Sequence, residues 1–306
     1  MKIPLHRRKP ALLLVGCGDI AWRLLPWLLP RFRVYALLRN PERAERWRAQ
    51  GAHILPGDLD RWPVSTRRLG FVRHVVMLAP PDPDGRDDPR GRRLLAMLSR
   101  ADSSKFNSLP QAMVYISTSG VYGDCGGAAV PETRPLAARN PRALRRVEAE
   151  QRLRHWGRSA RRRLSILRVP GIYAAARLPE ARLRAGTAAL HGAEDSCTNH
   201  IHADDLAGII AAALFRGRPQ RVYHACDDSR QKMGDYFDAV ADALHLPRPP
   251  RISRAEAQQQ LSPGLLSFLN ESRQLENQRL KRELRYRLRY PTVAEGLREL
   301  GLTRGA

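Results

Sequence analysis

The chain has 306 residues, enough for one large α/β domain or a domain with a smaller lobe, so core burial is not a limit. No apolar run approaches the roughly 18 to 20 residues of a membrane span, which excludes a spanning helix. The formal charge of +23 would ordinarily suggest nucleic acid, but only Lys2, Lys9, Lys105, Lys232 and Lys281 among the basic residues are lysine. The rest are arginines scattered over every expected helix, without interleaved aromatic residues to stack bases, so nucleic acid is not an expected partner.

Lys2, Arg7, Arg8 and Lys9 precede an apolar run that could pass for a processing signal. Its core, Ala11 to Val15, is shorter than the roughly 7 to 15 residues such a signal needs, so a first strand and a cytoplasmic protein are expected. Cys17, Cys125, Cys197 and Cys226 are widely spaced and form no C-x-x-C, so neither a disulfide framework nor a metal site is expected.

Leu12 to Val15 read as a buried parallel strand that breaks at Gly16. A helix follows with Ile20, Leu24, Leu25 and Leu28 on one side, and Pro26 should kink it or end it early. Gly16-x-Gly18-x-x-Ala21 is the dinucleotide fingerprint: Gly16 permits the turn, Gly18 lets a pyrophosphate approach, and Ala21 lets helix and strand pack closely. Gly16, Cys17, Gly18, Asp19 and Ile20 therefore form the expected phosphate cradle at a helix N-terminus.

Arg33 to Arg39 read as the second strand, ending where such folds present a residue to the adenosine ribose. An acid there would repel a 2′-phosphate, whereas Arg39, with Arg43 close behind, favours NADP over NAD. A helix over Pro41 to Gln50 and a strand over Ala52 to Leu55 lead to Asp58 and Leu59, where Asp58 could bond an adenine amino group or cap a helix. His74 to Ala79 form a fourth strand, stopped by Pro80-Pro81 at the edge where ligands of open α/β sheets sit, which puts Leu78, Ala79 and Pro80 beside the cofactor.

A helix from about Arg90 to Ser99 precedes a fifth strand, Ala112 to Ser117, and the hydroxyl-rich Thr118 to Asp124 runs off its end. A helix from Pro141 to about Trp156 and a strand over Leu164 to Val169 complete an alternation that signals a Rossmann-type doubly wound parallel sheet. Residues 1–169 are the expected dinucleotide-binding domain. Residues 170–306 are the expected, mainly helical substrate lobe, from which about 198–225 return to the Rossmann core. Within it a helix is expected near Glu180 to Leu190, another through Phe215, and a strand at Val222 to His224.

Gly16-x-Gly18-x-x-Ala21, Gly57-Asp58-Leu59, Ser117 to Gly123, Leu167 to Tyr173 and Ile201 to Leu206 occur in the order of the extended short-chain dehydrogenase/reductase superfamily, the NAD(P)-dependent epimerase/dehydratase group, which this chain resembles. The resemblance implies that Pro170, Gly171 and Ile172 lie against the nicotinamide end and that a homodimer forms. It also implies a Tyr-x-x-x-Lys pair on the helix after the fifth strand, and here the chain departs. Arg142 stands at the tyrosine position and Arg146 at the lysine position. Arg146 could hold a ribose, but arginine cannot exchange a proton near neutral pH. Thr118 aligns with the catalytic Ser/Thr, and Tyr122, Tyr173 and His202 are candidates to supply the proton. Two functions remain open: an oxidoreductase or epimerase acting on the carbonyl or carbinol of an unidentified small molecule, or a cofactor-binding regulator that has lost turnover.

Overall fold

The computed structural model describes residues 9–61, 69–85, 87–100, 110–159 and 162–302. Lys2, Arg7 and Arg8 of the basic N-terminus, and Lys105, lie outside the described residues. Among the described residues no helix is long and apolar enough to cross a membrane.

β1 (Ala11–Val15) is buried along its whole length, as a strand covered on both faces must be. α1 (Asp19–Leu28) turns Ile20, Ala21, Leu24, Leu25 and Leu28 inward and ends two residues after Pro26, the early stop expected of a proline inside a helix. β2 (Arg33–Leu38) follows. The next segment opens as a 3₁₀ turn, Pro41–Arg43, before α2 (Ala44–Ala49), instead of one continuous helix. The reason is local: the Asn40 side chain accepts from the Glu42 N–H and sets up the tighter turn. β3 (His53–Pro56), β4 (Val72–Met77), α3 (Pro89–Arg100), β5 (Ala112–Thr118) and α4 (Pro141–Ser159) come next in order.

These strands join Arg163–Val169 and Arg221–His224 in a seven-stranded parallel sheet with the order Arg221–His224, Arg163–Val169, β5, β4, β1, β2, β3. β1 lies between β4 and β2, so chain order reverses around it, and ligands of doubly wound sheets bind at such a switch point. Val15 pairs with Leu37 on one side and Met77 on the other, so the segments leaving β1, β2 and β4 emerge at one level.

Two compact units divide the chain. The first comprises Met1–Ser117, Leu144–Leu167 and Ala207–Val222. Its core packs Val15, Leu37, Met77, Met113 and Tyr115 of the sheet with Leu94 and Leu98 of α3 and Leu153 and Trp156 of α4. The second comprises Thr118–Ala143, Arg168–Leu206 and Tyr223–Ala306. Its core gathers Tyr173, Tyr236, Phe237, Val240, Val293 and Leu297, mostly from the helices Met233–Ala243 and Val293–Leu302. The helix expected near Glu180 to Leu190 covers only Glu180–Arg184. Gly186 adopts φ +62 and reverses the chain, so Ala189–Leu190 pair as a strand with Arg251–Ile252.

Candidate functional site

A cavity of about 420 Å³ lies in the first unit where β1, β2, β3 and β4 end. Gly16, Cys17 and Gly18 form one wall, Leu38, Arg39 and Arg43 a second, Asp58 and Leu59 a third, and Leu78, Ala79 and Pro80 the last. The fingerprint glycines differ in what demands them. Gly16 has φ +90 and a Cβ there would come within 2.3 Å of the Ala79 nitrogen, so no other residue fits. A Cβ on Gly18 would meet nothing within 4 Å. The protein itself places no steric demand on Gly18; an object in the cavity would.

Gly18 is also the N-cap of α1, with no side-chain cap, and Asp19 and Ile20 occupy the first turn, where N–H groups lack intrahelical partners. Asp19 turns its carboxylate back to Arg23 at 3.0 Å. The Cys17 thiol donates toward the Leu37 carbonyl at 3.4 Å, and burial pushes its pKa up to about 12, so it is not a nucleophile at neutral pH.

The far end of the cavity carries charge. Arg39 is exposed, and its Nη1 stands 3.6 Å from Asp60 Oδ2. Arg43 makes no ion pair among the described residues. Asp58 Oδ1 accepts from the Asp60 N–H at 2.9 Å, closing the turn after β3. Sequence reasoning missed Asn40, Gly57, Asp60 and Arg90 on this lining. Asp60 could have been suspected from its spacing to Asp58. Arg90, 30 residues further along the chain, carried no local signal.

Arg146 lies on α4 in the first unit and donates to the Tyr115 hydroxyl at 3.0 Å and the Ile116 carbonyl at 2.6 Å. It is thereby anchored near the end of β5. Ser117 next to it donates to buried Glu150 at 2.6 Å. Arg142, at the expected tyrosine position, is exposed.

Thr118, Tyr122, Pro170, Gly171, Ile172, Tyr173 and His202 belong to the second unit. Thr118 caps the 3₁₀ turn Ser119–Tyr122, accepting from the Gly120 N–H at 3.2 Å, and is half-buried. Tyr122 is buried, and its surroundings fix its proton. His224 Nδ1 stands 2.9 Å from the Glu276 carbonyl, which can only accept, and burial lowers the imidazole pKa to about 3. His224 is therefore neutral with its hydrogen on Nδ1, so Nε2 accepts the Tyr122 hydroxyl proton at 2.6 Å. Arg168 donates to the same oxygen at 2.6 Å.

Gly171–Tyr173 form a strand paired in parallel with His200–His202. A Cβ on Gly171 would sit 2.9 Å from the His200 ring. Tyr173 is fully buried and donates to the Thr292 carbonyl at 3.3 Å. Burial, with Asp227 and Asp205 nearby, holds its phenol far above the usual range. His202 is buried under Tyr290, with ring centroids 4.1 Å apart.

Comparison with known proteins agrees with this architecture. Residues 90–226 match the NAD dependent epimerase/dehydratase family, a span that begins after the fingerprint glycines. A GDP-6-deoxy-D-mannose reductase of Pseudomonas aeruginosa is 27% identical over 183 residues, 53% of this chain and 60% of that protein. The match thus spans three fifths of the reductase. A functionally unknown conserved protein from Silicibacter pomeroyi superposes with a TM-score of 0.79 at 31% identity, over 97% of this chain and all of that one. The dTDP-glucose 4,6-dehydratase DesIV of Streptomyces venezuelae, as a double mutant with NAD bound, superposes with a TM-score of 0.73 at 20% identity over 96% of this chain and 98% of that one, a likeness of fold. Sheet order, motif order and these matches converge: the chain belongs to the NAD-dependent epimerase/dehydratase family.

Proposed function

We propose that the cavity of the first unit binds a nicotinamide dinucleotide, NADP in preference to NAD, and that the protein is an oxidoreductase or epimerase acting on a carbonyl or carbinol substrate. The observation that carries the binding is the contrast between the two glycines on the cavity wall: Gly16 is demanded by Ala79, whereas a Cβ on Gly18 would meet no protein atom within 4 Å. The backbone of Gly16 to Gly18 and the N–H groups of Asp19 and Ile20 hold the pyrophosphate. Asp58 and Leu59 hold the adenine, Arg39 and Arg43 a 2′-phosphate, and Leu78, Ala79 and Pro80 the opposite wall.

When bound, the nicotinamide supplies or accepts hydride. Thr118 Oγ1 accepts from the Gly120 N–H, which leaves the hydroxyl hydrogen to donate to a substrate oxygen. Pro170, Gly171 and Ile172 are assigned to the nicotinamide end and Arg146 to a ribose hydroxyl, as the family resemblance implies. The nucleotide sugars named for the reductase and the dehydratase are the first substrate class to test.

A second reading, a cofactor-binding regulator without turnover, is favoured by one observation. Tyr122 and Tyr173, the phenols that could replace the missing tyrosine, are both buried and hydrogen-bonded inward. Titrating NADPH and NADH into the protein and into Arg39→Asp tests the shared premise. Preference for NADPH that is lost in the variant supports it, and absence of binding overturns both readings. Hydride transfer to aldehydes, ketones and nucleotide sugars, abolished in Thr118→Ala, then supports the enzyme; tight binding with no turnover supports the regulator.

A further inference from the structure

The cavity holds three arginines, and one of them is engaged by the protein far more closely than the others. Arg90 Nε donates to Asp60 Oδ1 at 2.5 Å and Nη2 to Oδ2 at 2.6 Å, a two-pronged clasp, while Nη1 reaches the Pro80 carbonyl at 3.1 Å and that of Pro81 at 3.4 Å. Four of its five N–H groups are thereby engaged, which leaves one Nη2 hydrogen and makes Arg90 the most committed of the three. The clasp also engages both carboxylate oxygens of Asp60, and its hydrogen bonds are the main cause that holds the acid below the usual carboxylate range, with the Arg39 charge adding less. Arg39 keeps only a loose ion pair with Asp60 Oδ2 at 3.6 Å, beyond hydrogen-bond distance, with 70% of its side chain exposed.

We infer that Arg90 is a specificity-determining positioning residue: by sequestering Asp60 it keeps Arg39 available to the 2′-phosphate of NADP. Without the clasp, Asp60 is free to turn to Arg39, closing the loose ion pair into a hydrogen-bonded one, and to repel a dianionic 2′-phosphate, the arrangement that favours NAD. The NADP preference then belongs to a relay of three residues, Arg90, Asp60 and Arg39, drawn from three separate segments of the sheet edge, rather than to Arg39 alone. The inference rests on the dinucleotide reading of this cavity.

The test is calorimetric titration of NADPH and NADH into the full chain and into Arg90→Gln, Asp60→Asn and the double variant, with thermal melting to verify folding. Arg90→Gln is expected to lower the NADPH-over-NADH preference by about tenfold or more, and the double variant to restore it, because the released carboxylate is then absent. Asp60→Asn alone is expected to retain or raise the preference, which keeps the inference open to refutation if Arg90→Gln fails to fold: a lower preference in Asp60→Asn overturns it. Equal loss of both nucleotides in Arg90→Gln, an unchanged preference, or a double variant no better than Arg90→Gln also overturns it. If the unmodified chain binds neither nucleotide, the dinucleotide reading itself falls and takes the relay with it; the other outcomes leave that reading standing.

Discussion

A methyl group on Gly16 would lie 2.3 Å from the backbone nitrogen of Ala79, because the turn after β1 and the segment leaving β4 touch directly. The Ala79 N–H donates to the Val15 carbonyl at 3.1 Å, so neither backbone can yield without breaking the sheet edge. Gly16→Ala must also hold φ +90 with a side chain. It is expected to destabilise the fold by about 2 to 5 kcal/mol, strain and overpacking together. Gly18→Ala places its methyl in open space and costs only a weaker N-cap, about 1 kcal/mol or less. The two variants therefore separate: melting drops in the first, and nucleotide binding weakens at nearly unchanged melting in the second. A Gly18→Ala protein that melts normally and binds NADPH as before would remove the phosphate role assigned to that turn.

Tyr122→Phe removes a hydroxyl that joins a buried neutral imidazole to a buried guanidinium. His224 Nε2 loses its donor and Arg168 an acceptor, at an expected cost of about 1 to 3 kcal/mol. If the tyrosine serves packing only, any hydride-transfer rate of the variant stays within about twofold of the parent while its melting temperature falls. A rate loss of about a hundredfold or more with unchanged melting would instead make it the proton donor.

Much of this architecture was legible along the chain, and the reasons differ by element. β1, Val75 to Met77 of β4 and Ala112 to Ile116 of β5 are uninterrupted apolar runs because both sheet faces are covered there, and that signal is one-dimensional. The glycine spacing states a backbone requirement in three letters. Arg90 and Asp60 were invisible as partners because their pairing depends on the sheet bringing the ends of β3 and β4 to one edge. The burial of Tyr122 and Tyr173 was equally hidden, since it comes from chain 100 or more residues away, at His224 and Thr292. The helix beyond Glu180 was overextended because a polar, alanine-rich stretch carries helical propensity that Gly186 and the pairing with Arg251–Ile252 override.

Gly296, on the helix Val293–Leu302, leaves room for a ring: a Cβ there would come within 2.4 Å of the Tyr173 hydroxyl oxygen. Gly296→Ala must displace a fully buried tyrosine from its bond to Thr292, and a loss of about 1 to 3 kcal/mol is expected. Gly296→Ala combined with Tyr173→Leu should recover part of it, because the ring edge that meets the Cβ, Cε2 at 2.7 Å and Cζ at 2.9 Å as well as the hydroxyl, is gone. Chemical denaturation of the three variants checks this; additive losses would mean that the two residues do not share the space.

Asp227 gives the fold a pH dependence. Its side chain is 4% exposed, Oδ1 accepts from the Ser229 N–H at 3.0 Å, and Oδ2 has no partner among the described residues. Burial, with Asp228 and Asp205 adding like charge, raises its pKa from 3.8 to about 7. Between those values the folded chain keeps a proton that the unfolded chain has released, so the folded state binds more protons and stability falls as pH rises through the window. Above about pH 7 both states are ionised and the penalty is constant, on the order of a few kcal/mol. Asp227→Asn retains the Ser229 bond and cannot ionise. Its melting temperature is expected to exceed that of the parent at pH 7.5 and to approach it at pH 4.5. A parent protein whose stability does not decline between pH 4.5 and 7, relative to Asp227→Asn, would place the proton elsewhere.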